Sequence, residues 1–398
     1  MEKLRPEDPK AVMPYAKRLL QLSGFRQDTE QLGTRIYLNL FIFVAAILIP
    51  KVCFPYPDTE AMVRGLSELI FFTNIFVGLF CFIAQHRPYR ELLNAIESFV
   101  NIVYRTSSQQ PESLSERTLI KLNVKINQIS VVYCYYVAVA AFTYWIAPCL
   151  ITYLSIHKEQ DIAGNGTMNA IQYYPNLEES FYWLDNRTSV RGYAVLSVVA
   201  FITFIFAVYS QTTKLLTILS TIKYCSTLLQ LVNIAIEGLS SISPENIDLE
   251  LKKLIQMHQL AIRCVALLNQ TLSYVFALQL VLCMLTWCFT LLYVLVVRLD
   301  VTSMMSLLIM INLTPEMFGY CFFCSDLTTT GTTISRQMYE FQWERHRPAI
   351  QKTVAMVIAR GQARLRITAW GIIPIDLELF AKVVKASYTV LLVLKDFI

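Results

Sequence analysis

Five side chains near the C-terminus have types and spacing that could handle ions. Glu378, Lys382, Lys385, Thr389 and Asp396 lie in an otherwise apolar run from about Ile372 to Leu394 and just beyond it. At about 100° per residue, the last four all fall within about 40° of Glu378 on a helix. Leu392 and Val393 flank this stripe near its end. Ionisable groups in hydrocarbon are costly and turn toward water or toward each other. One reading is therefore a helix that lines a water-filled path, with a constriction at Leu392 and Val393 and an acidic mouth at Asp396. One helix encloses nothing, so such a path needs several subunits about an axis. The other reading is a helix packed in its own bundle, with Glu378 paired to Lys382 at i,i+4 and the lysines snorkelling. On sequence alone both stand.

A second constellation is aromatic. Phe71, Phe72, Ile75 and Phe76 occur in one apolar run, and Tyr136, Phe142, Tyr144 and Trp145 in the next, beside the small Ala138 and Ala141. Phe201, Phe204, Ile205 and Phe206, then Phe289 and Tyr293, follow in two more. A cavity walled by such rings suits a small apolar ligand. Equally, membrane aromatics pack on one another or face lipid. Other chemistry is poorly represented. Cys321-Phe-Phe-Cys324 has no second pair and no nearby His, and His86, His157, His258 and His346 are scattered, so no metal or cofactor is expected. No nucleophile–base pair or paired carboxylates share a face, which argues against an enzyme.

The elements that carry these residues are set by composition. Of 398 residues, 55% are hydrophobic and 16% charged, with a mean hydropathy of +0.47. Soluble domains carry about a quarter charged residues. This excludes disorder, a disulfide-stapled secreted fold and an ordinary soluble enzyme. The net charge of +5 is dispersed, with no basic patch for nucleic acid. Seven runs have the length, or nearly, to cross lipid as helices: Ile36–Phe54, Leu66–Ala84, Ile129–Ser155, Ala194–Tyr209, Leu272–Val297, Ser303–Cys324 and about Ile372–Leu394. The reading is an all-α polytopic membrane protein with seven spans. The N-terminal segment and loops two, four and six carry 25 of the 34 Lys and Arg, against six on the other side. The positive-inside rule then puts the N-terminus in the cytoplasm and the C-terminus outside. The acceptor motifs Asn165-Gly-Thr167 and Asn186-Arg-Thr188 both fall in the large outside loop, making Asn165 and Asn186 the expected glycosylation sites.

The inside loops are helical in pattern. Leu215, Leu219, Ile222 and Leu229 continue segment four, and Leu251, Leu254, Ile255 and Ile262 lead into segment five. Ser243-Pro244-Glu245 reads as a helix start, and Arg347-Pro348 opens another helix that closes near Gly361. Segments four to six thus extend into the cytoplasm, either as a bundle or subunit interface or as helices lying on the lipid surface. The expected organisation is a cytoplasmic segment 1–35, helices one to four over 36–209 with an outside loop 156–193, a cytoplasmic helical loop 210–271, helices five and six over 272–325, a cytoplasmic anchor segment 326–371 and helix seven over 372–398.

With that topology, the chain resembles the insect odorant receptors along essentially its whole length. The resemblance is most specific at Tyr339-Glu-Phe-Gln-Trp343, Ile358-Ala-Arg-Gly-Gln362, Ile367-Thr-Ala-Trp-Gly371, Phe380 and Ser387-Tyr-Thr389. It implies an odorant-gated, non-selective cation channel in the plasma membrane of olfactory neuron dendrites. Tuning subunits of this family form a tetramer with the odorant receptor co-receptor. The resemblance further implies that the last helix lines the pore and that the inner parts of segments four to six anchor the subunits. Aligning Phe380-Ala381, Ala386 and Thr389 with the co-receptor's last helix places Val393 at its hydrophobic gate. Asp396 then falls where the co-receptor has a polar amide and Phe397 where it has an apolar gate residue. The pore set implied is Thr389, Leu392, Val393, Asp396 and Phe397. The long insertion of the co-receptor in loop four is absent, as in a tuning subunit. A small volatile odorant would sit in the outer halves of segments two to five, where depth and helical face select Phe72, Ile75, Phe76, Ala141, Trp145, Phe201, Ile205 and Tyr293. A gustatory receptor would end its last helix with Gln-Phe where this chain has Leu394-Lys395, and a G-protein-coupled receptor would need Asp-Arg-Tyr and Asn-Pro-x-x-Tyr motifs that do not occur.

Overall fold

A computed structural model of the chain describes residues 12–25, 33–107, 114–162, 173–243, 245–297 and 301–395. Among these residues the regular structure is helical apart from one hairpin of two-residue strands. In order, the helices are α1 (Pro14–Leu22), α2 (Thr34–Phe43), α3 (Ile49–Cys53), α4 (Thr59–Ala84), α5 (His86–Ser107), α6 (Leu114–Ile162), α7 (Val190–Leu239), α8 (Ile247–Val297), α9 (Val301–Glu340), α10 (Pro348–Gly361) and α11 (Leu377–Lys395). Six of the described helical stretches are long and apolar enough to cross a membrane: Thr34–Cys53, Thr59–Ala84, Leu114–His157, Val190–Leu239, Ile247–Leu295 and Ser303–Glu340. The seventh expected span is α11, set apart from these by its charges, Glu378, Lys382, Lys385 and Lys395 within 19 residues.

Local chemistry explains the breaks. Pro50 has no N–H for the preceding turn, and the helix widens into a π-turn over Val44–Leu48. The Ala45 carbonyl accepts a bond from the Tyr182 hydroxyl at 2.8 Å. Asp58 caps α4 by accepting from the Ala61 N–H at 2.7 Å. The last helix starts later than its hydropathy predicts. Residues 373–374 belong to a strand that pairs with Thr368–Ala369. Asp376 then accepts from the Leu379 N–H at 2.8 Å, capping α11.

Helices α7, α8 and α9 run 50, 51 and 40 residues, far beyond the roughly 20 needed to span lipid. Their extensions are not laid on a lipid surface. Leu215, Leu228, Leu229, Leu251, Leu254, Val265, Ile334 and Val354 are buried together in one cluster with α5 and α10. Helix α8 is the hub, touching α4, α5, α7, α9 and α11. The hairpin hangs on it. Asn269 Oδ1 accepts from the Thr368 N–H and hydroxyl at 2.7 and 3.1 Å, and Ser273 Oγ accepts from the Gly371 N–H at 3.0 Å. Trp370 and Gly371 both have positive φ, the geometry of a type I′ turn. Asn269 is thus spent on tertiary structure, although it opens a glycosylation motif.

Candidate functional site

Four helices line an apolar cavity of about 60 Å³. Its walls are Phe71, Phe72 and Ile75 of α4; Val137, Ala140, Ala141 and Tyr144 of α6; Phe204, Ala207, Val208 and Gln211 of α7; and Ile309 and Asn312 of α9. Phe72 stacks on Phe204 with centroids 6.0 Å apart, and Tyr144 meets Phe204 edge-on at 5.6 Å. The methyls of Ala140, Ala141 and Ala207 leave the space that larger side chains would fill.

Both ends of the cavity lead into buried charge. At one end the Tyr144 hydroxyl donates to Glu68 Oε1 at 2.8 Å. Glu68 also accepts from Lys51 Nζ at 2.7 Å, Arg64 Nε at 3.1 Å and the Glu178 N–H at 2.9 Å. Arg64 reaches Glu178 at 3.3 Å, and Arg187 pairs with the same carboxylate. Three cations therefore face Glu68, Glu178 and Glu179. Glu179 is the weakest member, with Lys51 Nζ 3.8 Å away and neither carboxyl oxygen hydrogen-bonded. Burial pushes its pKa up to about 8, more than Lys51 can offset, with Glu68 and Glu178 adding to the rise. Burial also raises Glu178, against the pull of Arg64 and Arg187.

At the other end Gln211 Nε2 donates to Glu316 Oε2 at 2.7 Å. Glu316 Oε1 lies 2.9 Å from Lys214 Nζ, and both side chains are fully buried. The Tyr320 hydroxyl donates to Glu316 Oε1 at 2.8 Å. Lys214 Nζ donates to the Asn74 carbonyl at 3.1 Å and to Gln279 Oε1 at 3.3 Å. One ammonium thus ties α7 to α4, α8 and α9. Gly78 makes room for it, since a Cβ there would lie 3.2 Å from Lys214 Cδ. A lysine in an apolar run needs such a partner, and that requirement is the sequence signal for Lys214.

The structure gathers some of the expected ligand residues and scatters others. Phe72, Ile75 and Ala141 line the cavity. Phe76 is buried beside it, stacked on Phe43 at 5.5 Å. Trp145 packs on Phe201 and donates from Nε1 to the Ser197 carbonyl at 3.1 Å, outside the lining. Phe201 and Ile205 are exposed on the outer face of α7. Tyr293 belongs to a separate cluster with Val63 and Leu292, because this face of α8 turns away from the cavity. The fourth wall comes instead from Ile309 and Asn312 of α9, neither of them aromatic.

Helix α11 lies on the outside of the bundle. Val383, Ser387 and Leu391 are its buried ridge, and Phe380 packs edge-on against Trp287 and Phe318. Glu378 and Lys382 form an ion pair at 2.7 Å with side chains 73% and 70% exposed. Lys385, Thr389, Leu392 and Val393 are exposed as well. Asp396 and Phe397 lie outside the described residues, as does Asn165. Asn186 is buried, and its Nδ2 donates to the Glu179 carbonyl at 2.8 Å, so a glycan there requires this turn to open. All ten cysteines are free, with Cys321 and Cys324 buried.

The family model for 7tm odorant receptors matches residues 58–388. Odorant receptor 10 of Aedes albopictus is 25% identical over 153 residues, 38% of this chain and 41% of that one, so the match spans about two fifths of the curated relative. The fold is that of the insect olfactory receptor OR5 from Machilis hrabei. Its complex with eugenol superposes with a TM-score of 0.72 at 14% identity, covering 98% of this chain and all of the other. A second OR5 structure gives 0.70 at 14% identity, covering 98% and 99%.

Proposed function

The chain belongs to the 7tm odorant receptor family, and from that premise we propose that it is the tuning subunit of an odorant-gated, non-selective cation channel. It is a multi-pass membrane protein. In the proposal it sits in the plasma membrane of the olfactory dendrite with its N-terminus in the cytoplasm, and it forms a heterotetramer with the odorant receptor co-receptor. A small volatile odorant occupies the cavity between α4, α6, α7 and α9. The OR5 structure with eugenol supports a ligand in this fold. Helix α11 lines the pore, with Thr389, Leu392, Val393, Asp396 and Phe397 toward the axis and Val393 at the gate. The glycosylation acceptor in this proposal is Asn165.

The observation that carries this reading is the face of α11. Its ionisable side chains are left uncovered by the rest of the chain, and hydrocarbon is a poor place for them. Water shared between subunits satisfies them, and the buried ridge at Val383, Ser387 and Leu391 fixes which way the face points. The charge network at the cavity floor spans α4, α7, α8 and α9, and α8 and α9 are the helices against which α11 packs. A ligand that shifts Gln211 thereby has a short physical route to the last helix. Co-expression with the co-receptor should give odorant-evoked cation current, and the chain alone little. A G-protein signal without ion flux would contradict the proposal.

A further inference from the structure

The cavity floor holds an acceptor with no donor. Gln211 lines the cavity and is 5% exposed. Its amide orientation is fixed by charge, because Nε2 must face the Glu316 carboxylate at 2.7 Å and a flipped amide would set oxygen against oxygen. That leaves Oε1 buried with no hydrogen-bond partner. Tyr144, another polar residue of the lining, has already given its proton to Glu68. Asn312, the third polar residue of the lining, donates from Nδ2 to the Leu308 carbonyl at 2.8 Å, and the remaining walls are hydrocarbon and aromatic. A buried acceptor in such a place is satisfied only by a ligand that brings a proton.

We propose that this cavity selects small molecules carrying a hydroxyl donor, alcohols and phenols, with the hydroxyl proton on Gln211 Oε1 and the carbon skeleton against Phe72, Phe204 and Ala141. The inference rests on the odorant-receptor reading above and adds to it the chemical class of the ligand. An ether of the same size has only lone pairs to offer. It fills the apolar part equally well but leaves Oε1 orphaned, and sites built for a hydrogen bond reject analogues that lack it. The modest cavity volume favours compact skeletons.

Isomeric pairs test this without changing size. The full chain is co-expressed with the co-receptor, and evoked current is recorded for benzyl alcohol against anisole and for 1-hexanol against methyl pentyl ether. Each alcohol should act at about tenfold lower concentration, or less, than its isomeric ether. In Gln211→Met the two members of each pair should become nearly equal. Ethers as potent as alcohols on the unaltered chain would overturn the proposal, as would a preference that survives in Gln211→Met. Should that variant fail to reach the cell surface, the unaltered chain decides alone. Responses to esters or ketones but to no alcohol would overturn the ligand class and leave the odorant reading standing. Silence toward every class, with the complex at the surface, would overturn both.

Discussion

Replacing the methyl of Ala141 by a phenyl ring tests the cavity at one atom's reach. Ala141→Phe drives a ring into about 60 Å³ of space, and overpacking of that kind costs about 1–3 kcal/mol. If the odorant occupies this space, sensitivity should fall by about five- to a hundredfold while surface expression is kept. Phe201→Ala, on the exposed outer face of α7, should leave sensitivity nearly unchanged. The Lys214–Glu316 pair is a stability test. Removing one partner of a buried pair strands the other charge and costs about 3–5 kcal/mol. Lys214→Met or Glu316→Gln should therefore lower the thermal midpoint of the purified protein and its surface delivery, and Lys214→Met with Glu316→Met together should recover much of the loss. Glu179 gives a pH test. Its pKa rises from 4.5 to about 8 on folding, so the folded state holds the proton more tightly than the unfolded one. Its contribution to stability is fully present below the unfolded value and is lost as pH rises through about 8. Glu179→Gln should flatten that decline, read as the thermal midpoint between about pH 5 and about pH 9.

At the scale of elements, the hairpin between α10 and α11 joins the cavity-bearing bundle to the last helix. It is held by Asn269 and Ser273 of α8 and closed by the I′ turn at Trp370–Gly371. Asn269→Ala removes the one acceptor shared by two Thr368 donors at a cost of about 1–3 kcal/mol, and Gly371→Val forces a β-branched residue into positive φ. Both should reduce the maximal evoked current more than they shift odorant sensitivity, as seen in full concentration–response curves. Hydropathy and capping made most elements readable. The run from Leu66 lies inside α4, Arg347-Pro348 opens α10, and the long apolar stripes of α7 to α9 do bury one another. The start of α11 was not readable by hydropathy, because Ile373 and Pro374 are as apolar in a strand as in a helix. Only the pairing with Thr368–Ala369 distinguishes them, and that is a tertiary fact.

For the molecule as a whole, the fold was far more legible than the site. Span number and helix extension follow from local periodicity and length. The walls of the cavity depend on which faces of four separate helices meet, and a rotation of one helix replaces Phe201 by Phe204 or Trp145 by Tyr144. Depth and helical face select Tyr293 from the sequence, whereas in the fold α8 packs that residue with Val63 and Leu292. The wall from α9 carries Ile309 and Asn312, whose types give no ligand signal on their own. The buried charges were legible in principle. Lys51, Arg64, Glu68, Lys214 and Glu316 all sit in or beside apolar runs, and each had to find a partner or water.

The central claim is that the uncovered face of α11 borders water in the assembled channel. Single cysteines at Thr389 and Lys385, compared with Ser387 and Leu391 on the buried ridge, test it directly in the co-expressed complex, with the unaltered chain as control for its ten native cysteines. A charged, membrane-impermeant thiol reagent should modify Thr389→Cys and Lys385→Cys and change the odorant-evoked current, while Ser387→Cys and Leu391→Cys remain indifferent. Modification of the ridge positions with Thr389→Cys and Lys385→Cys untouched would contradict the account.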